Sequence, residues 1–400
     1  MGATRTARVV LVHDWLTGMR GGEKCLEVAC RRWPDSHLFT LLHDRGSVSP
    51  AIESLATHTS PLQQLPHVHR YYRYLLPVLP LAVESWRLPA CDLVVSFSHC
   101  VAKSARPPRG VPHVCYCFTP MRYAWHMRDA YFGRGRGLRA RAVERLLGVL
   151  REWDRRTADR VSHFVAISQT VQKRIAECYG RDSVVIYPPV DTDFYCPGPP
   201  HTAPSRAVGD EGRVRGRRED YYLVVSAFAP YKRLDLALEA CNLLRLRLVV
   251  IGSGQDESRL RAMAGPTVHF LGWRPDEAIR DHLRRCRALI FPGEEDFGIV
   301  PVEANACGTP VIAYGKGGAT ETIAHLDGRD PPTGVWFAEQ QVDCLIAAME
   351  TFKQQAEAFD PQLLRRHALR FNGRRFDGEL FGYLSQFLQP SSPSTHRVAA

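Results

Sequence analysis

The sequence predicts an α/β protein of two domains, from three observations. Apolar runs of strand length recur in both halves, each followed by a loop and a helical pattern: Ala7 to Val12 precedes a glycine-rich loop, and Ala288 to Phe291 precedes Pro292-Gly293. A chain of 400 residues, 45% of them hydrophobic, fills two cores of ordinary size. Before the second set of strands lies Pro197 to Asp220, rich in proline, glycine and charge, which reads as a disordered insertion whose deletion is tolerated.

Taken in order, Ala7 to Val12 is a buried-strand pattern, His13 to Gly22 a glycine-rich loop and Glu23 to Cys30 a helix. The spacing of Gly18, Gly21 and Gly22 is not that of a dinucleotide fingerprint, so a nicotinamide reading is weak. At the carboxyl edge of a parallel sheet, Gly21 and Gly22 can still approach the phosphates of a ligand. His37 to Leu42 and Asp92 to Ser96 read as strands, and His99 follows the second where a side chain faces a cleft. A lone histidine there is as readily structural, and His13 competes for the role. Val111 to Cys117 leads into Phe118 to Trp125, where Arg122 is either a phosphate or acceptor contact or half of a salt bridge. Phe164 to Ile167 is the last strand of the first domain, a helix runs on to Tyr179, and Val184 to Asp193 forms the hinge. Asp191-Thr-Asp193 has the spacing of a metal motif, but it follows Pro-Pro-Val and reads as structural, so no metal is called for.

In the second half, Tyr221 to Ser226 is a strand, and Lys232 and Arg233 occupy the strand-to-helix loop, where cations suit a diphosphate. Leu246 to Ile251, Val268 to Leu271 and Val311 to Ala313 continue the strands, and the glycines of Gly315 to Gly318 admit close backbone approach. Leu289 to Ala313 reads strand, acidic loop, helix, strand. Gly298 lets the backbone come close to a ligand, and the amides of Ile299 and Val300 at a helix start favour a phosphate. Glu295 and Glu303, separated by seven residues, would repel that phosphate, so their partners are ligand hydroxyls such as those of a ribose and a hexose. Pro361 to Phe387 carries an apolar helical pattern, and Gln389 to Ala400 reads as a disordered tail.

A formal charge of +10 points to an anionic partner: a nucleotide sugar, an anionic lipid surface or nucleic acid. The twelve cysteines are scattered, without a Cys-x2-Cys pair or a secretory signal, as in a reduced cytosolic protein, and Cys115-Tyr-Cys117 reads as structural. The longest apolar run, Tyr74 to Val83, is broken by Pro77 and Pro80 and falls short of the roughly 20 residues a membrane span needs. Any membrane contact is therefore peripheral. His69 to Arg87 and Arg134 to Arg160 are basic and amphipathic, which suits an anionic surface and suits a core stripe with solvated arginines equally well.

Glu295, seven residues, Glu303 and then Gly308-Thr-Pro-Val311 resembles the signature of the retaining glycosyltransferase family 4, and Gly21-Gly22-Glu23-Lys24 resembles that family's first loop. The likeness covers nearly everything except Pro197 to Asp220 and the tail. It implies the GT-B fold, two Rossmann-like domains facing across a cleft: residues 1–188 as acceptor domain, 189–365 as nucleotide-sugar domain, 366–388 as a helix returning to the first domain, and 389–400 as tail. The resemblance implies His99, Glu295 and Lys232 as catalytic, with Glu303 on the donor ribose. Arg233, Gly298, Ile299, Val300, Gly21 and Gly22 join it in donor binding, and Arg122 and His13 are left for acceptor or phosphate. The family carries an arginine five residues before its lysine where this chain has Ala227, so Arg233 is the expected substitute.

Phe118 to Trp125 resembles bacterial mannosyltransferases of surface-polysaccharide assembly. That implies a hexosyltransferase using GDP-mannose and a glycan or lipid-linked acceptor, cytoplasmic and peripheral on the inner face of the plasma membrane. It needs no cofactor and no nucleic acid. With no convincing nucleophile for the opposite sugar face, front-face attack is expected. The rival reading, a basic non-catalytic adaptor or nucleic-acid-binding protein on the same fold, leaves the cleft motifs unexplained and lacks a base-stacking surface.

Overall fold

The computed structural model describes residues 7–126, 137–198, 218–328 and 330–388. The chain divides into two units, Met1–Pro188 with Phe376–Ala400, and Pro189–Arg375.

The first unit is built on seven parallel strands: β1 (Val9–His13), β2 (His37–Thr40), β3 (Ala56–Thr59), β4 (Leu93–Ser98), β5 (His113–Cys117), β6 (His163–Ala166) and β7 (Ser183–Val185), in the order β3-β2-β1-β4-β5-β6-β7. β1, β4 and β5 are buried along their whole length, which is why they read as unbroken apolar runs. β3 was not legible: its Ala-Thr-His-Thr is polar and mostly exposed at the sheet edge, so it carries no periodic signal. The strand order reverses between β1 and β4, where Val12 lies opposite Ser96 and His13 opposite Phe97. The loops leaving those two strands therefore meet at the carboxyl edge of the sheet, where ligands bind in such folds.

Local chemistry sets the helix ends. Gln169–Tyr179 starts at Ser168, whose Oγ accepts the Val171 amide at 3.1 Å, and stops at Gly180, left-handed at φ 63. Gly21–Arg32 begins two residues earlier than the sequence suggests, because the Glu23 carboxylate accepts the Arg20 amide at 3.1 Å and caps the first turn. The predicted C-terminal helical region is two helices, Pro361–Ala368 and Gly373–Ser385, parted by the turn Leu369–Phe371. The second unit keeps the first of these, and the chain rejoins the first unit at Phe376 rather than at residue 366. There Phe376 meets the Tyr116 ring edge-on at 5.6 Å, and Phe381 meets Trp33 at 5.2 Å.

The second unit repeats the plan with β8 (Tyr222–Val225), β9 (Leu248–Ile251), β10 (Val268–Gly272), β11 (Leu289–Phe291), β12 (Val311–Tyr314) and β13 (Gly334–Phe337), all parallel, in the order β10-β9-β8-β11-β12-β13. Here the order reverses between β8 and β11, whose loops carry Lys232 and Glu295. The core of this unit is continuous from Tyr222 and Leu248 to Leu345 and Phe352.

Most of the predicted insertion, residues 199–217, lies outside the described residues, as do the tail 389–400 and the arginines of 127–136. The described end of the insertion is a correction, because residues 218–220 are built into the second unit. Arg218 donates to Cys286 O at 2.9 Å and to Thr309 Oγ1 at 2.6 Å, and the Glu219 amide donates to Arg285 O at 2.8 Å. Asp191 makes a turn, its Oδ1 accepting the Phe194 amide at 2.9 Å. All twelve cysteines are free thiols, and ten of them are buried and pack in the interior, with burial pushing Cys30 and Cys178 up to about 12.

Candidate functional site

In the second unit the site is assembled by three loops at the strand ends. After β8, the turn Pro230–Lys232 leads into Arg233, a non-glycine residue held left-handed at φ 53, and the helix Leu234–Leu243 follows. This bend brings Lys232 to the loop after β11, where its Nζ pairs with Glu295 Oε1; both side chains are mostly buried, 17% and 14% exposed. The Glu295 main chain is fixed by the loop after β12. Its carbonyl accepts the Gly318 amide at 2.8 Å, and a Cβ on Gly317, itself at φ 67, would fall 2.4 Å from that carbonyl. No other residue type fits there.

Beyond Glu295 the chain turns through Gly298, at φ 88 and ψ 76, into the helix Ile299–Ala306. The first-turn amides of that helix have no partner within it and carry its positive end. Glu303 lies one turn in and is only 5% exposed. Its charge acts on the buried Tyr195 phenol, which burial chiefly and Glu303 next push upward. Neither glutamate is therefore a solvated surface acid.

In the first unit the loops after β1 and β4 are tied together by Asp14. This carboxylate is fully buried and accepts four consecutive amides: His99 at 2.7 Å, Cys100 at 3.0 Å, Val101 at 2.7 Å and Ala102 at 2.7 Å. It also lies 3.2 Å from His99 Nδ1. A carboxylate only accepts, so Nδ1 carries the proton and Nε2 is the acceptor of the neutral ring. Burial holds the His99 imidazole below its ordinary pKa, with Asp14 opposing and the charge of Arg122 adding to the depression. His99 is packed edge-on against Trp15 at 4.5 Å and keeps 24% of its side chain exposed.

Two sequence models match this chain. One described as Glycosyltransferase Family 4 covers residues 19–194, and one described as Glycosyl transferases group 1 covers residues 212–374. The chain belongs to glycosyltransferase family 4. The chain is 30% identical over 227 residues to the GDP-mannose-dependent alpha-(1-6)-phosphatidylinositol monomannoside mannosyltransferase of Mycolicibacterium smegmatis, over 51% of this chain and 56% of that one. It is 34% identical over 246 residues to the D-inositol 3-phosphate glycosyltransferase of Stackebrandtia nassauensis, over 55% of this chain and 52% of that one. The chain spans about half the length of the curated relatives it matches. Its fold is that of HepE of Anabaena, crystallised with UDP, at a TM-score of 0.66 and 17% identity over 95% of this chain and 100% of that one. Sucrose-phosphate synthase from Thermosynechococcus elongatus gives 0.67 and 14% identity over 95% of this chain and 98% of that one. Both are glycosyltransferase-type two-sheet structures, the GT-B architecture.

The structure brings together Lys232, Glu295 and the helix start at Gly298, Ile299 and Val300, and it brings Arg122 within electrostatic reach of His99. Three sequence expectations need correction. His13 is fully buried, with Nδ1 on Phe97 O at 2.9 Å and Nε2 3.6 Å from Glu23, so it supports the loop rather than facing a ligand. Burial alone would raise the Glu23 carboxyl, but the adjacent His13 imidazole outweighs it and holds the group below its usual range. Gly21 and Gly22 open the helix instead of a loop, and a Cβ on Gly22 would come within 3.3 Å of the Phe118 ring. Arg233 does not share the partner of Lys232: its Nε is 3.1 Å from Asp235 Oδ1, and its Nη1 is 3.4 Å from Gln340 O. Asp14 is the residue the sequence reading missed. Its signal is an acid directly after a fully buried strand, a place where a charge demands a dedicated set of donors.

Proposed function

We propose that the enzyme transfers a hexose, mannose first among the candidates, from a nucleotide diphosphate sugar to a hydroxyl of a glycan or lipid-linked acceptor, with retention at the anomeric carbon. The observation that carries this reading is the Lys232–Glu295 pair set in the same loop system as the Gly298 helix start and the buried Glu303. In the transfer, the bond between the anomeric carbon and the β-phosphate oxygen breaks and its electron pair stays on the diphosphate. Lys232 and the amides of Ile299 and Val300 stabilise that growing charge. The acceptor oxygen bonds to the anomeric carbon on the face the diphosphate leaves, and its proton passes to the departing phosphate oxygen. The products are a nucleoside diphosphate and a glycoside. Glu303 takes the ribose hydroxyls, and Glu295, freed from Lys232 by the diphosphate, takes those of the hexose.

His99, kept neutral, offers Nε2 as a hydrogen-bond acceptor of the first unit. The first unit is the acceptor unit and the second the donor unit. The names of the mannosyltransferase and inositol phosphate relatives motivate GDP-mannose and a phospholipid-linked or polyol acceptor. A net charge of +10 suits a cytoplasmic enzyme resting on an anionic inner membrane face.

Thermal melting with a panel of GDP- and UDP-sugars tests the donor assignment. The matching donor at saturating concentration should raise the melting temperature by about 3 °C or more, and Glu303→Gln should require about tenfold more donor for the same rise. No shift with any nucleotide sugar would remove the assignment.

A further inference from the structure

We propose that one face of the first unit, made by residues 65–87 and the first half of the helix Leu138–Thr157, seats the protein on an anionic lipid bilayer. This names the surface behind the peripheral placement above and is independent of the donor chemistry. From Ser54 to Val83 the chain has no aspartate or glutamate, while Arg70 and Arg73 fall within it. The segment folds as short helical pieces, Tyr72–Val78 and Leu79–Glu84. Their inward side is already spoken for: Tyr72, Leu76, Leu79 and Val83 are buried in the core. The outward side is apolar as well, with Tyr74 85% exposed, Leu81 72% and Val78 38%. An amphipathic element on a water-facing surface turns polar residues outward, so an outer apolar stripe that none of the described residues covers marks an interaction surface.

The neighbouring helix repeats the pattern. Leu147 and Leu150 face the core, while Leu138 (83% exposed), Leu146 (37%) and Val149 (63%) share the opposite side at spacings of eight and three. Arg141 and Arg145 are exposed on that half of the helix, whereas farther along Arg155 and Arg156 are taken up by Glu152. Glu84 joins the two elements. Its carboxylate accepts Trp153 Nε1 at 3.1 Å and pairs with Arg160 and Arg106, each at 2.8 Å, so the first acid after the acid-free stretch is spent on the protein's own cations. Exposed tyrosine, leucine and valine among arginines are the chemistry of an element lying in a lipid headgroup layer. No helix among the described residues is long and apolar enough to cross a membrane.

Co-sedimentation of the full chain with vesicles of phosphatidylcholine, alone or mixed with phosphatidylglycerol, tests the surface. At about 0.1 M salt the protein should bind the mixed vesicles, ignore the neutral ones, and release as salt is raised. Tyr74→Ser with Leu81→Ser should weaken binding by about tenfold or more, and Arg70→Gln with Arg73→Gln should do so comparably. Leu243→Ser, at a 64% exposed leucine of the second unit, should change nothing. All variants should keep the wild-type melting temperature and donor-induced shift, which separates this surface from the catalytic reading. Equal partition into both vesicle types, or a Tyr74/Leu81 variant that binds like wild type, would overturn the proposal, as would protection of this face in a dimer that ignores vesicles.

Discussion

Asp14 shows how a single side chain can fix two loops. Four amides converge on its two oxygens, and the same carboxylate selects the His99 tautomer. An asparagine keeps the shape, but its NH2 must face two of those amides and can no longer accept from both ends. Asp14→Asn should therefore cost about 3 kcal/mol of stability in urea titration and slow transfer more than it weakens donor binding, since the residues proposed to bind the donor lie in the other unit. Unchanged stability with unchanged turnover would mean the amides are satisfied in some other way. Arg233 makes the opposite point at the same scale, because a cation well placed in sequence is already engaged by Asp235.

At the level of elements, a buried ion pair joins four pieces of the first unit. Lys103, 1% exposed, places Nζ 2.9 Å from Asp154 Oδ1 and 2.8 Å from the Asp154 carbonyl, and stands 4.8 Å from the Tyr179 ring centroid. Asp154 Oδ2 in turn accepts Trp125 Nε1 at 2.9 Å and the Tyr179 hydroxyl at 2.8 Å. The helix Leu138–Thr157, the helix Gln169–Tyr179 and the loop carrying Arg122 are thus held to one charge. Lys103→Met leaves that charge buried without its cation, and a loss of about 3 to 5 kcal/mol in the urea midpoint series is expected. Adding Asp154→Leu should recover part of the loss, since removing both charges also removes their desolvation cost.

For the molecule as a whole, the two units draw on different parts of the chain. The first unit is closed by the last helix, which buries Phe376, Leu380 and Leu384, while the second keeps Phe371 against Phe297 at 5.6 Å. A chain ending at Asn372 should lower the stability of the first unit by about 5 kcal/mol or more and leave the donor-induced thermal shift of the second in place. Tryptophan fluorescence can follow this, because five of the seven tryptophans, Trp15, Trp33, Trp86, Trp125 and Trp153, belong to the first unit. A single transition at the wild-type temperature would contradict it.

The sequence by itself determined the alternation of buried strands and helices, the two-domain plan and the run from Leu289 to Ala313 in which Glu295, Gly298 and Glu303 were legible, because burial on both faces of a parallel sheet writes apolar runs directly into the chain. It missed β3, whose polar edge position leaves no period to read. Only the tertiary structure decided that His13 is internal and His99 half open, that Asp14 gathers amides 85 to 88 positions away, and that Arg233 turns to Asp235 while Lys232 turns to Glu295. Periodicity reports how deeply a residue is buried, whereas the partner of a buried charge is chosen by whichever distant loops the strand order brings to the same edge of the sheet.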